Sequence, residues 1–193
     1  GSARTVPHSL SVIPEMIWVK KRSASKHWSV YHKDLTSTAQ WLSLNLPQGD
    51  ASNSNFWNNG VDHTSTTFSI HTTGYVNSAA STYIAYLFAT LAGISKVGSF
   101  VGNGSSQTIS CGFSAGSRYI LIKRTDTTGD WYVWDSVRGI VSGNDPYLSL
   151  NTTSAQVTND DSVDPHNSGF IVNQVSASNI NVSSGTYIFY AIA

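Results

Sequence analysis

Charge is scarce in this sequence. Only 11% of its 193 residues are Asp, Glu, Lys or Arg, and the formal net charge is zero; an ordinary globular domain carries about 25% charged residues. Nucleic-acid binders usually have a basic surplus, so the balance argues against that partner. Cysteine is confined to Cys111, which excludes an internal disulfide and a Cys-based zinc site. Extracellular eukaryotic modules of this size are often stapled by disulfides, so folding in a reducing cytoplasm is the expectation. No apolar run approaches the roughly 18 residues of a helical membrane span, no secretory signal opens the chain, and no stretch carries an i, i+3, i+4, i+7 apolar stripe.

What is abundant is Ser, Thr, Asn and aromatic side chains, with six Trp and nine Tyr. Hydroxyl-rich outer faces and aromatic inner faces suit short strands, and the aromatic content excludes a disordered chain. The decisive feature is an ordered internal match. Ile17-Trp18-Val19-Lys20-Lys21 lies over Ile120-Leu121-Ile122-Lys123-Arg124, and the same offset pairs Thr5-Val6 with Thr108-Ile109 and Trp28 and Val30 with Trp131 and Val133. Further on, Trp41 to Asn45 answers Tyr147 to Asn151, Phe68 to Ile70 answers Phe170 to Val172, and Thr82 to Tyr86 answers Thr186 to Tyr190. Two degenerate copies of one module follow, residues 1–92 and 93–193. Gly, Asn, Asp and Ser clusters punctuate six or seven short strands per copy. The expected fold is all-β, two tandem antiparallel β-sandwich or jelly-roll modules related by duplication. A lead-in, Lys96 to Asn103, precedes the second copy only, so the chain is expected to begin part-way through an array.

Faces that stay apolar in both copies are the candidate cores: Ile17 and Val19 with Ile120 and Ile122, Trp28 and Val30 with Trp131 and Val133, and Ile84, Tyr86 and Phe88 with Ile188, Tyr190 and Ile192. Cys111 shares period two with Ile109 and Phe113 and is expected to be buried and inert.

These residues resemble a family of phage tail-fibre and other virion proteins. Its members carry runs like H-S-L…P-x-M-I-x-V-K-x-R, W-x-V-Y/F-D/H, L-x-L-N-x-T, F-x-L/I and a closing G-x-T-Y-I-A-Y-L/A-F-A. Here His8 to Leu10, Pro14 to Arg22, Trp28 to His32 and Ser81 to Ala89 carry the pattern first, and Arg118 to Thr125, Trp131 to Asp135 and Gly185 to Ala193 carry it again. The resemblance implies a virion-surface protein, of tail fibre, head spike or a gene transfer agent, made in the bacterial host's cytoplasm, with other virion proteins as partners.

No catalytic constellation stands out. Asp130 and Asp135 flank Trp131 to Trp134 as a carboxylate pair might in a glycosidase, but His27 and His32 hold those places in the first copy. Asp160, Asp161 and Asp164 form an acidic loop ending near His166; oxygen-rich loops hold Ca²⁺, yet the spacing fits no EF-hand, and a solvated loop is the simpler reading. His32, His63 and His71 lack metal-ligand spacing, and Lys20, Lys21, Arg22 and Lys26 read as a basic hairpin end. No cofactor and no metal are expected. The functional candidates are loops joining aromatic rings to amides and acids, because sugars stack C–H faces on rings and pair their hydroxyls with Asn, Asp and His. Trp57, Asn58, Asp62 and His63 come first, with a core-anchoring Trp57 as the competing reading, and Asp160, Asp161, Asp164 and His166 second. The expectation is a non-enzymatic virion domain binding host cell-surface carbohydrate, with a purely structural module as the alternative; homo-oligomerisation is open, and no nucleic-acid or membrane contact is expected.

Overall fold

The computed structural model describes residues 1–57 and 61–193. The protein is all-β: the described residues form sixteen strands and no helix. Two compact units emerge, Gly1–Leu46 with Asp50–Ala89, and Pro47–Gly49 with Thr90–Ala193. The division falls at Ala89/Thr90, three residues before the sequence boundary, and the second unit takes Pro47–Gly49 out of the first half's sequence.

In unit 1, β1 (Arg4–Pro7) and β6 (Thr67–Ile70) form a two-stranded sheet. The strands β2 (Met16–Lys21), β3 (Ser29–His32), β4 (Gln40–Ser43), β5 (Ala51–Ser52) and β7 (Tyr83–Phe88) form a second sheet in the order β5-β4-β3-β2-β7. All pairings are antiparallel, with Ile17 opposite Tyr31 and Leu87. Between the sheets lie Ile17, Val19, Phe56, Trp57, Phe68, Ile70 and Val76, with Val6, Tyr31, Tyr83, Ala85 and Leu87 packed against them.

Unit 2 begins with β8 (Ser95–Val101) and β9 (Gln107–Ser110). There follow β10 (Tyr119–Arg124), β11 (Trp131–Asp135), β12 (Asp145–Ser149), β13 (Val157–Asp160), β14 (Val163–His166), β15 (Gly169–Val172) and β16 (Thr186–Ile192). The large sheet runs β13-β12-β11-β10-β16-β8 and the small one β14-β15-β9. With β8 and β14 set aside, both units show one strand order, and every strand but β5 and β13 overlaps a segment of the sequence match. The core gathers Ile109, Cys111, Ile120, Ile122, Tyr132, Trp134, Tyr147, Phe170, Tyr187, Phe189 and Ala191.

Two expectations about faces need correction. In β7 and β16 the residues turned to the core are Tyr83, Ala85 and Leu87, and Tyr187, Phe189 and Ala191; Ile84 and Tyr86 lie on the other face, 39% and 44% exposed. Trp28 is only half-buried, whereas Trp131 is fully buried. Trp131 nonetheless lies opposite Lys123 on the reverse face of the large sheet, and it is Trp134 that enters the main core. That reverse face is apolar and buried too, with Leu121, Val133 and Ile188, so alternation alone does not tell one face from the other. Cys111 is buried as expected, and burial pushes its thiol up to about 12.

Candidate functional site

The residues repeated in both halves pin the scaffold. Asn45 Oδ1 accepts the backbone N–H of Trp28 at 2.9 Å, and Asn151 Oδ1 that of Trp131 at 2.8 Å. The amide nitrogens are used as well: Asn45 Nδ2 lies 2.9 Å from His27 Nδ1, and Asn151 Nδ2 donates to Asp130 Oδ1 at 2.7 Å. The repeated tyrosines act alike. Tyr83 Oη accepts from Ser78 N and donates to Gly74 O, while Tyr187 Oη accepts from Val182 N and donates to Asn179 O, each bond 2.8 to 3.1 Å long. Asp135 caps the turn after β11, accepting from Val137 N and Arg138 N and pairing with the Arg138 guanidinium. Of the two carboxylates flanking β11, Asp135 thus holds the turn after the strand and Asp130 accepts from the Asn151 amide.

The first candidate loop closes inward. Trp57 is 1% exposed, and its ring meets Tyr31 edge-on with centroids 5.6 Å apart. His63 packs on the same Tyr31 ring at 4.5 Å, and its Nδ1 accepts the Ser69 N–H at 3.1 Å. Burial drives the His63 pKa down to about 4 despite the pull of Asp62, so the ring is neutral near pH 7. Trp57 thus has no free face for a sugar, and the stacking role expected of it is withdrawn: a large apolar ring beside Phe56, Phe68 and Ile70 gains more from burial than from water. Asp62 is exposed at the loop surface. Asn58 lies outside the described residues.

The second loop divides. Asp160 turns inward, 3% exposed, and its Oδ1 accepts from Ser162 Oγ; it is not the surface hydroxyl partner expected of it. Burial first, then Asp161, raises its pKa. Asp161 is exposed and Asp164 half-buried, and both accept from one amide, Asn173 Nδ2, at 3.3 and 2.8 Å. His166 is held locally, its Nδ1 accepting from Ser168 N at 3.3 Å. Among the described residues no three His, Cys, Asp or Glu side chains are placed to hold a metal ion.

The profile of a domain of unknown function, DUF7483, covers residues 1–193. The chain belongs to the DUF7483 family. No curated protein and no solved structure matches it.

The acidic end of this DUF7483 chain contains a residue the sequence reading passed over. Asp145 is fully buried at the start of β12, accepting from Val141 N at 2.7 Å and from the Val163 amide, and its Cα partner across the sheet is Asp160. Burial, aided by the charges of Asp164 and Asp161, lifts its pKa to about 7. Oδ2 of Asp145 and Oδ2 of Asp160 have no hydrogen-bond partner among the described residues. The available signal was phase: Asp145 stands two residues before Tyr147, on the face of a core aromatic, where a carboxylate is out of place. In this loop Asp161, Asp164 and Asn173 are brought together through the Asn173 amide.

Proposed function

We propose that this chain is a non-catalytic structural module of a virion surface protein, a building unit that spaces or stabilises the particle alongside other virion proteins. The observation that carries this reading is the use made of the large aromatics. Trp57, Trp131 and Trp134 are all buried to within 1%, Trp18, Trp28 and Trp41 are half-buried, and the repeated Asn and Tyr groups bond their own backbone. A stacking platform for sugar needs a ring in water beside amides and acids, and these three rings are spent on the interior. The virion setting rests on the sequence resemblance, and the low charge and single cysteine accord with assembly in the host cytoplasm. An antibody to the chain should label purified phage particles by immunogold; particles that carry none of the protein would count against the virion setting.

A second reading, attachment to host cell-surface carbohydrate, is favoured by one feature, the Asp161–Asn173–Asp164 cluster at the surface of unit 2. Its contribution per site is weak and works through multivalency. A multimer of the chain titrated against host polysaccharide discriminates the two. The structural reading expects no binding; binding abolished by Asp161→Ala with Asp164→Ala would instead establish the second.

A further inference from the structure

One end of unit 2 is built from elements that unit 1 lacks among the described residues. The loop 136–144 between β11 and β12 is longer than its equivalent 33–39, and β14 is found in unit 2 alone. Two aspartates join these additions crosswise. Asp145, which closes the first loop, accepts the Val163 N–H of β14 as well as Val141 N at 2.7 Å. Asp164, the residue after Val163, accepts the Gly143 N–H of the first loop at 3.2 Å. The two carboxylates are thereby laid between the same two segments.

The charges gathered there are of one sign. Asp145 is fully buried, and the charges that act on it are those of Asp164 and Asp161, both negative. Among the described residues no ion pair involves any of the three. A neutral donor takes part of the load: Asn173 Nδ2 donates to Asp161 Oδ1 at 3.3 Å and to Asp164 Oδ2 at 2.8 Å. Asp145 Oδ2 has no partner among the described residues. A buried, unpartnered carboxylate oxygen beside two further carboxylates is an unmet demand for positive charge. Gly143 leaves room on this side, since a Cβ placed on it would meet no atom within 4 Å. Asp145 comes from a different loop than Asp160 to Asp164, so no spacing within that run displays the set.

We propose that this end of unit 2 binds one calcium ion, with Asp145 and Asp164 as its carboxylate ligands and Asp161 at the outer rim. Among the described residues no three acidic side chains surround a single point, so loop oxygens and water complete the shell. Calcium takes about six to eight oxygen ligands in flexible geometry; magnesium, held to near-ideal octahedral geometry, fits a two-carboxylate set in irregular loops less well. The inference stands on unit 2 alone and goes beyond the virion reading. Calcium binding is measured without particles or polysaccharide, so its failure and the failure of either reading of function are separate results.

The test uses the full 193-residue chain, stripped of metal with a chelator, at mildly alkaline pH and constant ionic strength. Calcium chloride is titrated by calorimetry, and the amide resonances of Val141, Gly143 and Val163 report where the ion lands. The expected result is one site with a Kd of about 10⁻⁴ to 10⁻³ M, the weak end of protein calcium sites. Shifts should centre on those three amides, and the melting temperature should rise as calcium saturates the site. Asp145→Asn and Asp164→Asn keep the side-chain shape and remove the charge, and each should weaken calcium at least about tenfold, since affinity follows ligand charge. Asp34→Asn in unit 1 should leave it unchanged. Should Asp145→Asn fail to fold, Asp164→Asn decides by itself. The proposal is overturned by no heat and no shift at millimolar calcium, by binding that survives both substitutions, by an equal loss in Asp34→Asn, or by magnesium binding as tightly at the same amides.

Discussion

At the scale of single residues, the Asn and Tyr groups repeated in both halves are committed to the protein's own fold. Asn151 shows the arrangement: its amide joins the N–H of Trp131 to the Asp130 carboxylate. Asn151→Ala leaves both without that partner and should cost about 1–3 kcal/mol in urea unfolding. Trp57→Ala should cost about 3–5 kcal/mol in the same assay, as expected for emptying a ring-sized core site, and should not alter any glycan signal. Cys111, buried with its thiol pushed up to about 12, should resist a thiol reagent in the native protein and react on unfolding. Two titrations act in opposite senses. The His63 pKa falls from 6.5 to about 4 on folding, so its contribution is complete above 6.5 and drains away as pH drops towards 4. That of Asp145 rises from 3.8 to about 7, so its contribution is complete below 3.8 and drains away as pH climbs through 7. Melts at pH 5 and pH 8 should therefore show Asp145→Asn removing a loss of stability at the alkaline end, and His63→Gln removing one at the acid end. If both variants keep the parent's pH profile, the burial assigned to these two side chains is wrong.

At the scale of elements, strand positions were legible because the two halves constrain each other. Ile17, Val19, Ile120 and Ile122 were read as core residues and are. Facing was illegible in β16. Its residues Tyr187 to Ala191 are mostly apolar on both sides, the first half repeats both sides, and so neither period two nor the repeat selects one. The small sheet settles it, because Phe170 packs on Phe189 with centroids 5.5 Å apart, a contact between residues distant in sequence. The same argument covers Asp145, whose burial is set by the loops around it. The glycine at position 98 gives a sharp element-scale expectation: Gly98→Ala forces the Phe189 ring aside and should lower the stability of unit 2 by about 1–3 kcal/mol, as overpacked sites do.

At the scale of the whole molecule, the all-β class was readable from the sequence, while the nine strands of unit 2, against the six or seven expected per copy, and the membership of particular segments were not. Pro47–Gly49 belongs to unit 2 because Lys123, buried on the reverse face of its sheet, needs partners for its ammonium. Its Nζ donates to Pro47 O at 2.9 Å and to Gly129 O at 2.6 Å. A buried charge without such bonds would be severely destabilising, and no local pattern in the sequence reveals which carbonyls supply them. The Trp57 loop admitted two readings for a related reason, since a Trp among Asn and Asp residues reads as a surface loop until the second sheet is known to lie beneath it, and the burial bears out the core-anchoring one. The account as a whole rests on two units of one strand order, to which unit 2 adds β8 and β14; among the described residues β16 is paired on both edges and β7 with β2 alone. Hydrogen exchange of the full chain resolves that difference amide by amide. The account predicts slow exchange throughout Tyr187–Ala191, and along Tyr83–Leu87 an alternation of slow amides bonded to β2 with fast amides on the open side. Uniform protection of both segments, or fast exchange along Tyr187–Ala191, would contradict it.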